Sequence, residues 1–425
     1  MAGESRLSPA AQDLSARVAD LLPDGPIIVA LSGGADSAAL AWAVVRSGRP
    51  VRAVSIDHGL DGSADLMRAA TDIAAVLGLE HLVVPVAQAS SSETDLRAAR
   101  LHALESACGA DEVIATGHTR DDQAETVLGN VLRGSGTAGL GGIPRRRGPF
   151  IRPMLDISRH TARTVAGEIG LPFRDDPQND DQSIRRNRLR SRLIPELAAD
   201  FNPGIVDALV RLASAAGDDD DLLERRAATI PILERDGAVL VPTASLRTLP
   251  PAVASRVVRR ALRMVGDAYP GEASDVYAVL AACRGERSTM TGGIDVMREG
   301  PWVALTYSSP PLPEPVDIRH GERETWGGWW LEASDVQPTV GRSCAVLPNA
   351  VLTIRAPRSD DRIDIVGGTK SVGDALAEAG VPGRIRHRWP VVEADGTIVW
   401  IPGVRVAPMA GDGERMTVRA MRRRQ

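Results

Sequence analysis

Two rhythms of apolar positions alternate through the first third of the chain. An unbroken apolar run rich in β-branched residues at 27–31 predicts a buried strand, and largely apolar stretches at 51–56, 81–86 and 112–116 predict further strands. Between them, residues 7–22, 38–45, 63–77 and 93–108 repeat apolar side chains at three- and four-residue spacing, which predicts helices. Residues 158–170 continue the series as a further helix. Strands alternating with helices predict an α/β fold with a doubly wound parallel sheet. In such sheets ligands bind beyond the carboxyl ends of the strands, so Ser32, Asp57, His58 and Gly117 are expected to converge on one crevice.

The pattern changes after residue 201. Ile205, Leu209, Leu212, Leu222 and Leu223, then Val253, Val257, Val258, Ala261, Leu262 and Val265, keep helical spacing and predict a helical middle domain. Its acidic run, Asp218 to Asp221, reads as a solvated helix face. The proline-rich stretch 308–315 reads as a stiff linker. Beyond it a period of two appears at 350–355, 391–392 and 397–401, around a helical segment at 371–379, which predicts a small α+β C-terminal domain. The arginine-rich end, Arg419 to Arg424, reads as disordered. The expected domains are therefore 1–200, 201–308 and 340–425, in keeping with 425 residues being too many for one core.

Composition narrows the chemistry only a little. With 43% apolar and 25% charged residues the chain is that of a globular protein, and its net charge of -5 gives no bulk attraction to nucleic acid, though it leaves room for local basic patches. Every cationic side chain except Lys370 is arginine. Cys108, Cys283 and Cys344 are isolated and no C-x-x-C occurs, which argues for a reducing compartment and against a disulfide framework, zinc site or iron–sulfur cluster. No apolar run spans a bilayer and no secretory signal opens the chain, so no membrane association and a cytoplasmic location are expected.

Five stretches carry candidate chemistry. Ser32-Gly33-Gly34-Ala35-Asp36-Ser37 joins the first strand to a helix, a glycine turn that lets backbone N–H groups and a helix N-terminus meet an anion. It is neither a Walker A loop nor G-x-G-x-x-G, and a carboxylate at Asp36 beside polyphosphate calls for a Mg²⁺ between them. On the helix expected from Thr119, His118, Asp122 and Glu125 share a face and Asp121 neighbours Glu125. This is either a solvated acidic first turn or, given its place after a strand, a metal or amine site. The glycine-rich residues 134–144 and Arg145–Arg147 read as a loop, either a lid or clamp or a plain insertion. Arg185, Arg188 and Arg192 form a stripe suited to a phosphate backbone, with Arg186 and Arg190 interspersed. Arg384, Arg386 and Arg388 beside Trp389 suit RNA equally with a charged sheet edge carrying one packed Trp.

Taken in order, Ser32-Gly33-Gly34-x-Asp36-Ser37, Asp57-His58-Gly59-Leu60, His118-x-x-Asp121-Asp122-Gln123-Ala124-Glu125-Thr126, Leu132-Arg133-Gly134-Ser135-Gly136, Arg152-Pro153-Met154-Leu155 and Asp176-Pro177-x-Asn179 with Arg186-Asn187-Arg188-x-Arg190 resemble the bacterial tRNA(Ile)-lysidine synthetases of the PP-loop ATP pyrophosphatase superfamily. The resemblance covers about residues 25–195 and departs at Gln178, Ile184 and Leu101, where the family usually has serine, an aromatic and a nearby tyrosine. It implies ligation of free L-lysine to C2 of the wobble cytidine of the CAU-anticodon isoleucine tRNA, with ATP cleaved to AMP and pyrophosphate. It further implies ATP binding by Ser32, Gly33, Gly34, Ala35, Asp36, Ser37, Ile56 and His58, and Mg²⁺ at Asp36 and Asp121. Lysine would bind Asp122 and Glu125, and His118, Arg97 and Arg100 would stabilise the transferring phosphate, with Asp36 and Asp122 also taking part in catalysis. The tRNA would meet Arg185, Arg188, Arg190 and Arg192 and, in the C-terminal domain, Arg384, Arg386 and Arg388. The alternatives are another PP-loop tRNA-modifying enzyme such as a tRNA thiolase, which would need paired cysteines, and a nucleotide-binding module without catalysis, which would not need the acidic cluster. A homodimer is left open.

Overall fold

The computed structural model describes residues 7–59, 63–86, 93–265, 273–286, 288–290, 293–307, 311–335, 343–408 and 414–422. The chain divides into two units, Met1–Leu222 and Leu223–Gln425. Leu60, part of the 308–315 stretch and the last residues of the arginine-rich end lie outside the described residues.

In the first unit, helix α1 (Pro9–Leu21) starts where Ser8 Oγ accepts the Ala11 N–H, and it buries Leu14 and Val18. There follow β1 (Ile27–Ala30), α2 (Ala35–Arg46), β2 (Val51–Asp57), α3 (Ser63–Leu77), β3 (Glu80–Pro85), α4 (Glu93–Ser106), β4 (Val113–Ala115), α5 (Arg120–Val131), α6 (Thr137–Leu140), β5 (Arg146–Arg147), β6 (Phe150–Ile151) and α7 (Arg159–Glu168). The sheet runs β3-β2-β1-β4-β6-β5, parallel throughout except for β5, which turns back along β6. The chain walks outward from β1 to β3, then returns to place β4 on the other side of β1. The strand order therefore reverses between β1 and β4, and the loops after those two strands open on the crevice that such a reversal creates. Ile27, Ile28, Val29, Ile114 and Ala115 are fully buried, as a sheet covered on both faces requires.

Three expectations for this unit change. Residues 134–144 contain α6 and are pinned to α5: Gln123 Oε1 accepts the Ile143 N–H at 2.6 Å, and Asn130 Nδ2 donates to the Gly139 carbonyl at 2.5 Å. The arginine-rich helix is also irregular. Helix α8 (Arg185–Arg188) passes into a π-helical turn (Leu189–Leu193) and then α9 (Ile194–Asp200). Pro195 has no N–H to give the carbonyl four residues back and its ring crowds that carbonyl, so the helix widens and the Ile194 N–H reaches Leu189 O instead. The expected break at residue 200 moves to Leu222. Leu209 and Ala213 of α10 (Ile205–Ala228) pack with Ala124, Val127, Leu128 and Leu189.

The second unit has the expected helices Pro251–Val265 and Ala273–Ala282, and adds a five-stranded antiparallel sheet. Its first hairpin turns at Asp236 and Gly237, both with positive φ (54° and 70°), the backbone that a two-residue turn between twisted strands demands. Arg256 is buried and donates to the Ala252 carbonyl at 3.0 Å. Further on, a seven-stranded and a four-stranded sheet share a core of Trp326, Leu331, Leu347, Ile354, Val392, Trp400 and Val418. Strands Val316–Ile318 and Arg323–Trp326 pair into these sheets, ahead of the expected boundary at 340. The expected disordered end is corrected as well: Arg415–Arg422 is a strand paired on both sides, because Met416, Val418 and Ala420 alternate into the core. No helix among the described residues is long and apolar enough to cross a membrane.

Candidate active site

After β1 the backbone closes on itself at the glycine turn. Gly33 has φ +83°, and a Cβ there would lie 2.2 Å from the Leu66 carbonyl oxygen, so no other residue fits. The turn is fixed from both sides: the Gly33 carbonyl accepts the Arg174 N–H at 2.9 Å, and Ser37 Oγ donates to the Gly34 carbonyl at 2.9 Å while accepting the Ser32 N–H at 3.2 Å. Ser37 is thus engaged in shaping the loop, and Ser32, though exposed, turns its hydroxyl to Ser37 Oγ at 3.1 Å. Gly117, just past β4, would place a Cβ 3.1 Å from the backbone of Asp36 and Ser37; the second loop packs on the first backbone to backbone.

The helix after β4 begins at Thr119, as expected. Asp122 Oδ2 accepts both the N–H (2.7 Å) and the hydroxyl (2.9 Å) of Thr119, a capping box with Asp122 at its third position. Asp122 and Glu125 are buried, so the solvated acidic turn is excluded. Their charge is met by arginines that sequence spacing did not single out for this role. Arg159, the first residue of α7, donates from Nη2 to Asp122 Oδ1 at 2.6 Å and from Nη1 to Glu125 Oε1 at 3.0 Å, and its Nε lies 3.6 Å from Asp36 Oδ2. Its backbone N–H is held by Asp121 Oδ2 at 2.8 Å. Arg186 donates from Nε to Glu125 Oε2 at 2.8 Å and from Nη2 to Asp122 Oδ1 at 2.7 Å. Burial alone would raise the Asp122 pKa, but Arg159, Arg186 and the Thr119 N–H outweigh it and hold the carboxyl below its ordinary value.

Asp36 is the exception. Burial, reinforced by Asp122, pushes its carboxyl up to about 6, with Arg159 and Arg190 only partly offsetting this. Its Oδ1 is buried without a hydrogen-bond partner. His118 sits 2.9 Å from Thr116 Oγ1 through Nδ1; burial lowers its pKa to about 3 against the pull of Asp122, and Arg97, Arg100 and Arg152 push the same way. The imidazole is therefore neutral at pH 7 and can exchange hydrogen bonds but brings no charge. Arg97 and Arg100 of α4 are close enough to act on it electrostatically. Ile56 is buried at the end of β2, and half-buried His58 keeps an unpartnered Nδ1.

The arginines expected to meet RNA divide. Arg192 is exposed and pairs with Glu196 (3.0 Å), Arg188 donates to the Gln182 and Ser183 carbonyls (both 2.7 Å), and Arg185 donates to the Gly129 carbonyl (3.3 Å). Arg190 Nε lies 3.9 Å from Glu125 Oε1, facing the crevice. In the second unit Arg384 is buried: it pairs with Glu299 and donates to the Arg235 carbonyl at 2.9 Å, so it is no surface contact. Arg386 donates to the Val381 carbonyl (2.8 Å) and Arg388 to that of Pro311 (3.2 Å). Trp389 stacks edge-on to Trp329 at 5.0 Å, which favours the packed-Trp reading of this segment.

Residues 8–197 match the family model described as a PP-loop domain, and residues 352–419 match that of the TilS substrate C-terminal domain. The tRNA(Ile)-lysidine synthase of Solibacter usitatus (strain Ellin6076) is 33% identical over 425 residues, covering 91% of this chain and 94% of that protein. The chain belongs to the tRNA(Ile)-lysidine synthase family. The synthases of Salinispora arenicola (38% identity, 69% of this chain and 95% of that protein) and Thermus thermophilus (32%, 92% and 71%) agree. The thiolase alternative is not favoured. Burial raises the pKa of the Cys108 and Cys283 thiols, and Cys108 Sγ donates to the Glu112 carbonyl at 3.3 Å. Arg159 reaches the crevice because α7 follows β6, which lies beside β4. Only strand order supplies that argument, not residue spacing.

Proposed function

We propose that this chain ligates free L-lysine to C2 of the wobble cytidine (position 34) of the CAU-anticodon isoleucine tRNA, using ATP and releasing AMP and pyrophosphate in the cytoplasm. The observation that carries this is Arg159: one guanidinium reaches Asp36 of the phosphate loop and Asp122 and Glu125 of the acidic helix, so a polyphosphate subsite and an amine subsite share one crevice.

Cytosine C2 carries no leaving group. Attack of its O2 on the α-phosphorus of ATP creates one, and pyrophosphate leaves against the backbone N–H groups of residues 33–36 and the N-terminus of α2. Charge on the transferring phosphate is met by Arg97 and Arg100; neutral His118 adds a hydrogen bond. The ε-amine of lysine, once its ammonium proton has passed to water, then attacks C2, the C2–O2 bond breaks and AMP departs. That amine is an ammonium at neutral pH, with a reference pKa of about 10.4. Asp122, held below the ordinary carboxylate range, is suited to bind the ammonium and poorly suited to take its proton. The site fits Mg²⁺ at Asp36, whose buried, unpartnered Oδ1 and raised pKa mark a carboxylate short of positive charge; Asp121 is the second carboxylate nearby. When bound there, Mg²⁺ supplies the charge that lets a carboxylate stand beside polyphosphate. Incubating a CAU-anticodon isoleucine tRNA transcript with enzyme, ATP and lysine, followed by nucleoside analysis, tests the reading. Lysidine that depends on both small molecules is expected; unmodified cytidine under those conditions overturns it.

A further inference from the structure

Every oxygen of the two buried carboxylates already has a partner. Asp122 Oδ1 accepts from Arg159 (2.6 Å) and Arg186 (2.7 Å), and its Oδ2 from the Thr119 N–H and hydroxyl (2.7 and 2.9 Å). Glu125 Oε1 accepts from Arg159 (3.0 Å) and Oε2 from Arg186 (2.8 Å), and the Glu125 side chain is 2% exposed. An ammonium brings three N–H donors and must find acceptors within about 3 Å. Asp122 has two donors on each oxygen and so no acceptor position left, while Glu125, with one on each, is closed off by its burial; lysine reaches either carboxylate only if a guanidinium leaves.

The two candidates to leave are held very differently. Arg159 is anchored by its own backbone, through Asp121, at the start of a helix whose Ala162, Val165 and Ala166 lie in the main core, and its side chain is 18% exposed. The Arg186 side chain is 36% exposed. It stands on α8, four residues long, between the irregular stretch 177–184 and the π turn at 189–193, where the helical hydrogen-bond ladder is already broken. Asn187 ties α8 to the carbonyls of Gln178 and Asp181 within that same stretch (2.8 and 2.9 Å), and Arg185 adds one long bond to the Gly129 carbonyl of α5 (3.3 Å). Moving α8 therefore disturbs no sheet pairing. Its neighbours Arg185, Arg188 and Arg192 are held by carbonyl groups and one exposed carboxylate, partners that RNA phosphates can replace.

We infer that Arg186 is a removable plug in the lysine subsite: its guanidinium stands in for the substrate ammonium on Asp122 and Glu125, and RNA engaging the neighbouring arginines draws it out. This rests on the lysidine-forming reading and deepens it, because it makes lysine binding conditional on tRNA and so keeps the amine subsite closed on the RNA-free enzyme.

Equilibrium dialysis of labelled L-lysine against the full chain tests this. The native enzyme should bind lysine at least about tenfold more tightly with CAU-anticodon tRNA than without it. Arg186→Gln should bind lysine tightly in both states, with that ratio falling towards one and the lysine KM in turnover unchanged within about threefold. Arg186→Lys keeps a cation on the carboxylates and should retain the native ratio. Equal lysine affinity of the native enzyme with and without tRNA overturns the inference, and this arm decides alone should Arg186→Gln not fold. Weaker lysine binding by Arg186→Gln in both states also overturns it, since Arg186 would then build the subsite. Lysidine formation by the native enzyme tests the reading separately: if lysidine forms while lysine binding ignores both tRNA and Arg186, only the plug fails.

Discussion

The loop after β1 and the helix after β4 face the same crevice, yet backbone geometry holds the first and charge holds the second. At Gly33 the constraint is steric: a positive φ and a carbonyl oxygen where a side chain would begin. At Asp122 and Glu125 it is a balance among four carboxylates, Asp36 included, and the guanidiniums of Arg159, Arg186 and Arg190. A steric constraint is fixed whatever binds. A charge balance shifts when a cation, a phosphate or an ammonium arrives. One wall of the crevice is thus suited to receive the same polyphosphate group at each turnover, and the other to exchange partners between steps.

The sharpest way to break this contrast is inside the glycine turn. Gly33→Ala forces a backbone shift and should lower ATP-dependent pyrophosphate release by at least about 100-fold, the scale set by ångström-level misplacement of reacting groups. Gly34→Ala, with φ -86° and its nearest would-be contacts at 3.7 and 3.9 Å, should fold and retain most activity. Similar losses from both would mean that the turn's shape is not what matters.

Asp36 sharpens the comparison from the charge side. Its folded pKa of about 6 stands above the reference 3.8, so the native state binds the extra proton between these values. The stability contributed is complete below pH 3.8 and is lost as pH rises through 6, which leaves the ionised form a burden at pH 7.5. In metal-free buffer Asp36→Asn should therefore be more stable than the native chain at pH 7.5 by roughly 1–3 kcal/mol, with the difference vanishing near pH 4. Thermal unfolding at the two pH values measures it. A mutant less stable than the native chain at pH 7.5 would contradict the origin assigned to the shift.

How much was legible in the sequence follows the same division. The strand–turn–helix of residues 27–46 and the start of α5 at Thr119 could be read because local rules determine them: β-branched runs, glycine at a positive φ, a capping residue. Arg159 and Arg186 could not be assigned to the carboxylates, because which guanidinium reaches which carboxyl depends on strand order and on a π turn imposed by Pro195. The Asp236-Gly237 turn is a short-range hairpin signal that spacing of apolar residues alone overlooks, and with it went the strands on either side, whereas the strands flanking Asp395-Gly396 were legible from their period of two. Counting arginines also misled at Arg384, where a cation beside an aromatic belongs to a buried ion pair.

Arg384 gives the next prediction. Breaking its pair with Glu299 by Arg384→Met should lower stability by about 3 kcal/mol. The salt dependence of tRNA binding should not change. Arg192→Ala should instead leave stability nearly unchanged and reduce the log–log salt slope by about one. The smallest effect is expected of the thiols. Changing Cys108, Cys283 and Cys344 together to alanine should keep lysidine formation within a few-fold, after allowance for the packing lost at buried Cys283. Complete loss in a folded triple mutant would revive sulfur chemistry.

The division of the crevice into a phosphate wall and an amine wall is tested most directly by following AMP transfer to labelled tRNA and lysidine formation together, across a lysine titration, in Asp36→Asn and Glu125→Gln. Asp36→Asn should release no pyrophosphate at any lysine concentration. Glu125→Gln keeps the shape but removes a charge whose hydrogen bond to an ammonium is worth about 1.5–3 kcal/mol. It should still adenylate tRNA, with its lysine requirement raised by roughly one to two orders of magnitude. If Glu125→Gln instead loses adenylation as completely as Asp36→Asn while its lysine requirement stays unchanged, the two walls are one phosphate site and the account is wrong.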